Sequence, residues 1–574
     1  FYRYEVSVFY AGTSNIEVFE STDPYSVSLS TNGRYSQFVD LNDADLKPAG
    51  WDGHAVPAIA NPEDAVIYEG HIRDFSAFDE STSAANRGKY LAFTESNSAP
   101  VTHLQELAEA GVTHFHVLPA NDMATVNEDV SGRLSLDSTV GELCVATNAS
   151  AAICDGRDPG LVLRDIIEGF DPDSSDAQDL INSMRGFDAF NWGYDPHHFN
   201  APDGSYASDP DGAARVLEMR EMVMALHETG LRVVLDVVYN HTNSSGLNDN
   251  TVFDKIVPGY YHRLNSESGA VETSTCCQNT APEHRMMGKF IADSLVQWSE
   301  AYGYDGFRFD IMGHHPKSQL EEAREAVRAV DPDTYFYGEG WNFGEVANGA
   351  RFEQASQLNL GGTEIGSFND RLRDAARDAY LFVENGSLQQ QDFIRVGLAG
   401  TLADYVLKDS TGTAVTASGL TWNGQPAGYA GDPADVINYV SKHDNETLWD
   451  KLQYGLPAET TLADRVRIQN VAATIPLMSQ GVPFLQMGGD MIRSKSMDRD
   501  SYDSGDWFTR VDFTQTSNNW HVGLPIADKN ESSWDTISGL FANPETAVVA
   551  EDIQFASDVF NEFLRIRSGS PLFR

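Results

Sequence analysis

From about residue 66 onward the chain alternates between two patterns. Short, mostly apolar runs are followed by longer stretches in which apolar residues recur at three- and four-residue spacing. The short runs are Val66–Ile72, His114–Leu118, Arg232–Tyr239, Gly306–Ile311, Tyr335–Gly338, Gln357–Leu360, Val436–Val440 and Val482–Met487; their length and content predict buried strands. The stretches Ala213–Thr229, His284–Tyr302 and Gln319–Val330 place apolar residues on one helical face and predict helices. Eight strands alternating with helices predict an α/β chain folded as a (β/α)8, or TIM, barrel. A doubly wound sheet would also use strands and helices in equal measure, but the count and the polar residues at strand ends favour the barrel. The strand-to-strand span exceeds the roughly 250 residues of an ordinary barrel, so large insertions are predicted at about 121–189 and 242–283. Residues 1–60 read differently: alternation in Tyr2–Phe9 and intervening turn clusters predict β structure, the end of a β-sandwich module. Leu46 to Pro57, with Pro48, Gly50 and Gly53, reads as a linker. Two domains are therefore expected, 1–60 and 61–574.

Charge narrows the partners. Against 85 acidic residues stand 39 basic ones, a net charge of −46, so nucleic acid and anionic membranes are disfavoured. No run of about 18 apolar residues is present to span a membrane. The sequence opens at Phe1 within a strand-like pattern and stops abruptly at Arg574, and it reads as a piece of a longer protein. Cys144 and Cys154 stand ten apart in a loop-like stretch, and a disulfide is expected there, fitting an oxidising compartment. The adjacent Cys276 and Cys277 lack a second cysteine pair, so zinc is not predicted.

In barrels the chemistry sits at the C-terminal ends of the strands. The third run ends in DVVYNH (Asp236–His241), with Asp236 a charge inside an apolar strand that needs a partner; it either braces the barrel rim or meets substrate. In the fourth, GFRFD (Gly306–Asp310), period two puts Arg308 and Asp310 on one face. A neighbouring cation is expected to keep Asp310 ionised, as a glycosidase nucleophile must be. The fifth ends in GEGW (Gly338–Trp341), where an aromatic setting is expected to raise Glu339, as suits a general acid, and Gly338 and Gly340 would let a bulky substrate approach. The seventh ends in SKHDN (Ser441–Asn445), suited to sugar hydroxyls or to capping a helix.

These four strings, in this order, resemble the four short conserved regions of the α-amylase family. FNWGYDP (Phe190–Pro196) is similar to the YNWGYDP signature of type I pullulanases and limit dextrinases, with Phe in place of the first Tyr. YEGHIRDFS from Tyr68, CCQNTAPEHR from Cys276, QLNLGGTEIGSFNDRLR from Gln357 and RSKSMDRDSYDSGDW from Arg493 resemble secreted, many-domain bacterial members. The likeness covers essentially the whole chain. It implies retaining hydrolysis of α-1,6-glucosidic links in pullulan, amylopectin and limit dextrins. Asp310 is implied as nucleophile, Glu339 as general acid and base, and Asp444 as the group holding the distorted ring. Arg308, His241 and His443 are implied around the sugar at the cleavage point, with Tyr194 stacked beneath it and Trp341 on the acceptor side. Asp236, Asn191, Trp192, Asn445 and Arg493 are further substrate-binding candidates. The resemblance also implies that residues 1–60 end a carbohydrate-binding-like module, that a C-terminal β-domain is missing, and that the protein is secreted or at the cell surface. No cofactor is needed for such chemistry. Structural Ca²⁺ is implied by the family alone, since no EF-hand spacing is present. A branched α-glucan is the expected partner and a monomer the expected state. The shared triad leaves open an α-1,4-acting amylase, a branching enzyme or a non-catalytic α-glucan-binding protein.

Overall fold

The structure, a computed structural model, describes residues 1–378 and 387–573. Eight parallel strands close a barrel: β1 (Ile67–Gly70), β2 (His114–Val117), β3 (Arg232–Val237), β4 (Gly306–Phe309), β5 (Tyr335–Gly338), β6 (Gly366–Phe368), β7 (Val436–Asn438) and β8 (Val482–Gln486). Each strand pairs with the next, and β8 returns to β1 through Phe484↔Ile67, Leu485↔Tyr68 and Gln486↔Glu69. The TIM barrel predicted from the pattern is thus the observed fold.

Period two sorts the strand residues. Ile67, Val234, Tyr335, Tyr337, Phe368, Ile437 and Phe484 share one buried cluster. The residues between them, such as Tyr68, Val233, Leu235, Phe307 and Phe336, belong to the larger core shared with the surrounding helices. Helices Ala214–Glu228, Arg285–Tyr302 and Lys317–Arg328 lie within a few residues of the predicted ranges. Continuing the first set toward the C-terminal strand ends gives Glu69, His116, Asp236 and Arg308. The parity that fills the barrel with apolar side chains therefore ends in a buried polar layer.

The sixth strand is not where the apolar pattern put it. Gln357–Leu360 is a turn, with the N–H groups of Asn359 and Leu360 donating to Ser356 O at 2.9 and 3.1 Å. Its apolar content serves to bury Leu360 in the core. The true strand, Gly366–Phe368, holds one large apolar residue, so pattern could not mark it. Gly366 is required by packing, because a Cβ there would lie 2.3 Å from the Tyr335 hydroxyl.

Residues 1–60 hold less β structure than expected: one antiparallel hairpin, Tyr4–Tyr10 with Asn15–Ser21, followed by short 3-10 turns and isolated bridges. Asp, Gly and Pro between residues 40 and 62 favour turns over paired strands. The stretch read as a linker is fastened to the barrel: buried Arg220 donates to Leu41 O and Leu46 O at 2.9 and 2.6 Å, and Arg232 to Pro57 O at 2.9 Å.

The 121–189 segment carries helices Val140–Ala146, Leu163–Ile167 and Asp176–Met184 around a core of its own. Phe508 and Ile526, from far along the chain, complete that core. Cys144 and Cys154 are joined in a disulfide within it. In the 242–283 segment Gln278–Asn279 pairs with His241–Thr242, and Cys276 and Cys277 are joined to each other.

Candidate active site

The polar layer at the C-terminal strand ends is organised by one buried guanidinium. Arg308 lies opposite Asp236 in the β3–β4 register. Its Nη1 is 2.9 Å from Asp236 Oδ1 and 3.2 Å from Asp310 Oδ1, and its Nη2 is 2.9 Å from Glu339 Oε1. The two terminal nitrogens of one side chain therefore reach both carboxyls that follow β4 and β5. Asn240 Nδ2 donates to Asp310 Oδ2 at 2.8 Å. Ile311 N donates to Glu339 Oε2 at 3.2 Å. Asp444 follows β7 and is the most accessible of the three carboxylates, with 43% of its side chain exposed.

Around them, Tyr194 donates its hydroxyl to Asp236 Oδ2 at 2.7 Å and stacks on His443, ring centroids 5.1 Å apart. Trp192 meets His443 edge-on at 5.2 Å. His241 Nδ1 lies 2.6 Å from Asn240 Oδ1 and its Nε2 lies 2.9 Å from Tyr194 O. Half-buried Trp341 packs on the aromatic cluster of Tyr335 and Phe368. Asn191 accepts from Gly193 N at 2.9 Å and shapes the turn that presents Tyr194. Asn445 stands next to Asp444 with a left-handed backbone, φ 63°. Arg493 is engaged behind the site, by Asp74 Oδ2 at 2.9 Å and by Met487 O and Thr509 O, which leaves it as a brace for the loop after β8.

Two expectations about charge are reversed. Burial pushes Asp310 up to about 7; Arg308 opposes the rise, while the carboxylates of Glu339 and Asp236 add to it. Arg308 is the strongest influence pulling Asp310 down, and burial outweighs it. Burial also works against ionising Glu339, yet Lys442 and Arg308 outweigh it and hold that carboxyl below its ordinary value. Burial is similarly overcome at Asp236, lowered to about 2 by Arg308 and His116, and at Asp444, held well down by Lys442 and His443. The glycines differ from expectation too. A Cβ on Gly338 would lie 2.4 Å from Phe309 O, and one on Gly340 2.8 Å from Gln357 N. Their missing side chains admit neighbouring backbone.

Several organising residues carried no predicted role. Glu69 at the end of β1 accepts from His443 N at 2.7 Å and meets His443 Nδ1 at 2.5 Å. Lys442 lies 2.6 Å from Glu339 Oε1 and also binds Asp444. His116 bridges Asp236 and the Tyr337 hydroxyl. The signal for Glu69 was the one that singled out Asp236, a charge closing an apolar strand.

Among the described residues, the buried Asp122, Glu128 and Asp203 come close enough together to suggest a cation cage. They do not fit calcium. Arg215 Nη2 already lies 3.0 Å from Glu128 Oε2, and His198 Nδ1 lies 2.7 Å from Asp122 Oδ2. Backbone N–H groups of Gly204, Met123 and Ser205 take further oxygens at 2.7, 3.0 and 2.7 Å. A guanidinium stands where the ion would go. The group of His241, Cys276 and Cys277 does not fit a metal either, because its sulfurs are bonded to each other and supply no thiolate.

Comparison with known proteins agrees with this geometry. Residues 515–574 match the model of the C-terminal part of pullulanase-type alpha-1,6-glucosidases. The whole chain aligns with a pullulanase of Klebsiella aerogenes at 45% identity, covering 55% of that protein. It aligns with chloroplastic pullulanase 1 of Arabidopsis thaliana at 43% identity, covering 61%. The chain thus spans little more than half the length of these relatives. The crystal structure of a maltotriose complex of a PulA variant from Klebsiella pneumoniae superposes over the full chain with a TM-score of 0.95 at 42% identity, and 66% of that chain is covered. With the four strand-end motifs arranged around one barrel mouth, the chain belongs to the type I pullulanase branch of the α-amylase family.

Proposed function

We propose that the protein hydrolyses α-1,6-glucosidic links in branched α-glucans with retention of configuration. The observation that carries this reading is the reach of one guanidinium, Arg308, to both Asp310 and Glu339, beside Asp444. Such an arrangement suits a retaining pair, whose carboxyls stand roughly 5–5.5 Å apart. Asp310 would attack the anomeric carbon while Glu339 gives its proton to the departing glycosidic oxygen. Water, activated by the Glu339 carboxylate, would then release the sugar from Asp310. Asp444 would accept hydrogen bonds from the distorted ring. Tyr194 offers a ring face below that sugar and Trp341 one on the acceptor side. The relatives' name, pullulanase, and the maltotriose bound in one of them favour α-1,6 over α-1,4 cleavage. An extracellular setting is supported by the Cys144–Cys154 disulfide.

Products from pullulan test the reading. Maltotriose as the main product, lost in Asp310→Asn, is the expected result. Panose or isopanose would mean α-1,4 cleavage, and no product from the chain extended at both ends would favour a binding protein.

A further inference from the structure

β7 ends at Asn438 and the next helix is Leu448–Gly455. The segment between them carries His443 and Asp444 and has no ladder or helical turn to fix its backbone. The Asp444 carboxylate meets Lys442 and, at 3.6 Å, His443 Nε2. Both partners belong to the same segment, so its place in the barrel mouth is set by contacts from other elements. On one side Glu69 of β1 accepts from His443 N at 2.7 Å. On the other, the carbonyl of His443 accepts from Lys495 Nζ at 3.0 Å.

Lys495 lies in the loop after β8, within the string RSKSMDRDSYDSGDW, and is 1% exposed. Its ammonium stands 5.2 Å from the ring centre of Trp192, in FNWGYDP. Among the described residues it forms no ion pair; its partners are one carbonyl and one ring face. Burying an ammonium without a carboxylate costs free energy that an apolar side chain of similar length would not. The base of the side chain is fixed as well. Asp450, in the helix Leu448–Gly455, accepts from Lys495 N at 2.8 Å, Met497 N at 3.3 Å and the Ser494 hydroxyl at 2.5 Å. Ser496 and Met497 are held left-handed, with φ of 51° and 67°, a conformation that persists in such residues only where the surroundings enforce it. The peptide joining His443 to Asp444 is planar, so a donor that holds its carbonyl also sets the direction in which the Asp444 side chain leaves the backbone.

We propose that Lys495 is a positioning residue for Asp444: bound to the His443 carbonyl and seated against Trp192, it ties the loop after β8 to the peptide that aims Asp444 at the distorted sugar. The inference deepens the hydrolytic reading above and rests on it. Lys495 is buried behind His443 and acts through that residue. Because Asp444 would hold the ring in its oxocarbenium-like form, a misaimed Asp444 weakens binding of the transition state more than binding of the ground state.

The test compares the parent, Lys495→Met, Asp444→Asn and the double variant. On pullulan, kcat of Lys495→Met should fall at least about 10-fold through misplacement of Asp444, while KM stays within about 3-fold. Titration calorimetry needs no turnover. Its probes are maltotriose and an iminosugar whose ring nitrogen carries a positive charge like that of the transition state. Lys495→Met should weaken the iminosugar about 10-fold and leave maltotriose unchanged. In the Asp444→Asn background the same substitution should cost the iminosugar nothing further, since the two residues act as one unit. Equal weakening of both probes, a full loss in the Asp444→Asn background, or an unchanged kcat would each overturn the proposal. Lys495→Gln takes the place of Lys495→Met where the latter does not fold, with the same limits. A parent that leaves pullulan intact would sink the hydrolytic reading, and the binding cycle would still decide whether Lys495 acts through Asp444.

Discussion

Asp236 lies directly across from Arg308 between β3 and β4, with Oδ1 2.9 Å from Nη1 and neither side chain exposed to solvent. Removing Asp236 leaves Arg308 with Asp310 and Glu339 only, and breaking a buried pair from one side costs about 3–5 kcal/mol, here about 3 because part of the charge stays paired. Asp236→Ala should lose that much stability in denaturant unfolding. Asp236→Asn, which keeps the shape, should lose less. The amide also removes one of the negative neighbours that raise Asp310. The acid limb of kcat/KM should then move to lower pH, and an upward shift would contradict this account of the charge layer.

Glu69 meets both the backbone N and Nδ1 of His443, and His443 in turn stacks on Tyr194. Glu69→Gln keeps one acceptor and loses the matched pair. Turnover on pullulan should fall about 10-fold through misplacement of the ring, with a smaller effect on the thermal midpoint. Equal loss of stability and activity would show that Glu69 serves the barrel alone.

His114 opens β2 and is 2% exposed. Burial lowers it to about 3, with Arg232 adding to the effect. Between about pH 6.5 and that value the unfolded chain binds a proton that the folded chain refuses. The stability tied to His114 is therefore complete above pH 6.5 and is lost as pH falls toward 3. His114→Asn should flatten the fall by up to about 1.4 kcal/mol per pH unit, measurable by urea unfolding from pH 7 to pH 5. A steeper fall in the variant would reverse the sign and refute the assignment.

The Cys144–Cys154 bond closes a loop with a sequence separation of 10. Its removal in Cys144→Ser/Cys154→Ser should weaken the insertion by about 2–3 kcal/mol. Because that segment has its own core, hydrogen exchange should quicken between residues 134 and 187 and stay unchanged in the barrel strands. Uniform acceleration would mean that the two cores unfold as one.

Motif and parity together marked the residues that meet at the barrel mouth, because a charge closing an apolar strand has few other uses. What escaped was relational. Arg308 stands two residues before Asp310, yet its nearer contacts lie on β3 and β5, and no spacing along one strand reveals that. Lys442 sat inside a motif without a role, since its partner Glu339 is distant in sequence. The sixth strand failed for a different reason: Gly366 is small so that Tyr335 and Tyr337 can fill the barrel, and a strand built to make room carries no apolar signature.

The second core also sets a timetable for folding. Leu143, Leu163 and Ile181 lie in the first third of the chain, and the Phe508 and Ile526 that cover them come near its end. The barrel closes just as late, when β8 finds β1. During synthesis the insertion must wait with its apolar side uncovered while most of the barrel is made, and contacts so distant in sequence are slow to form. The insertion after β2 is therefore assembled last, by a segment that follows the strand that shuts the barrel.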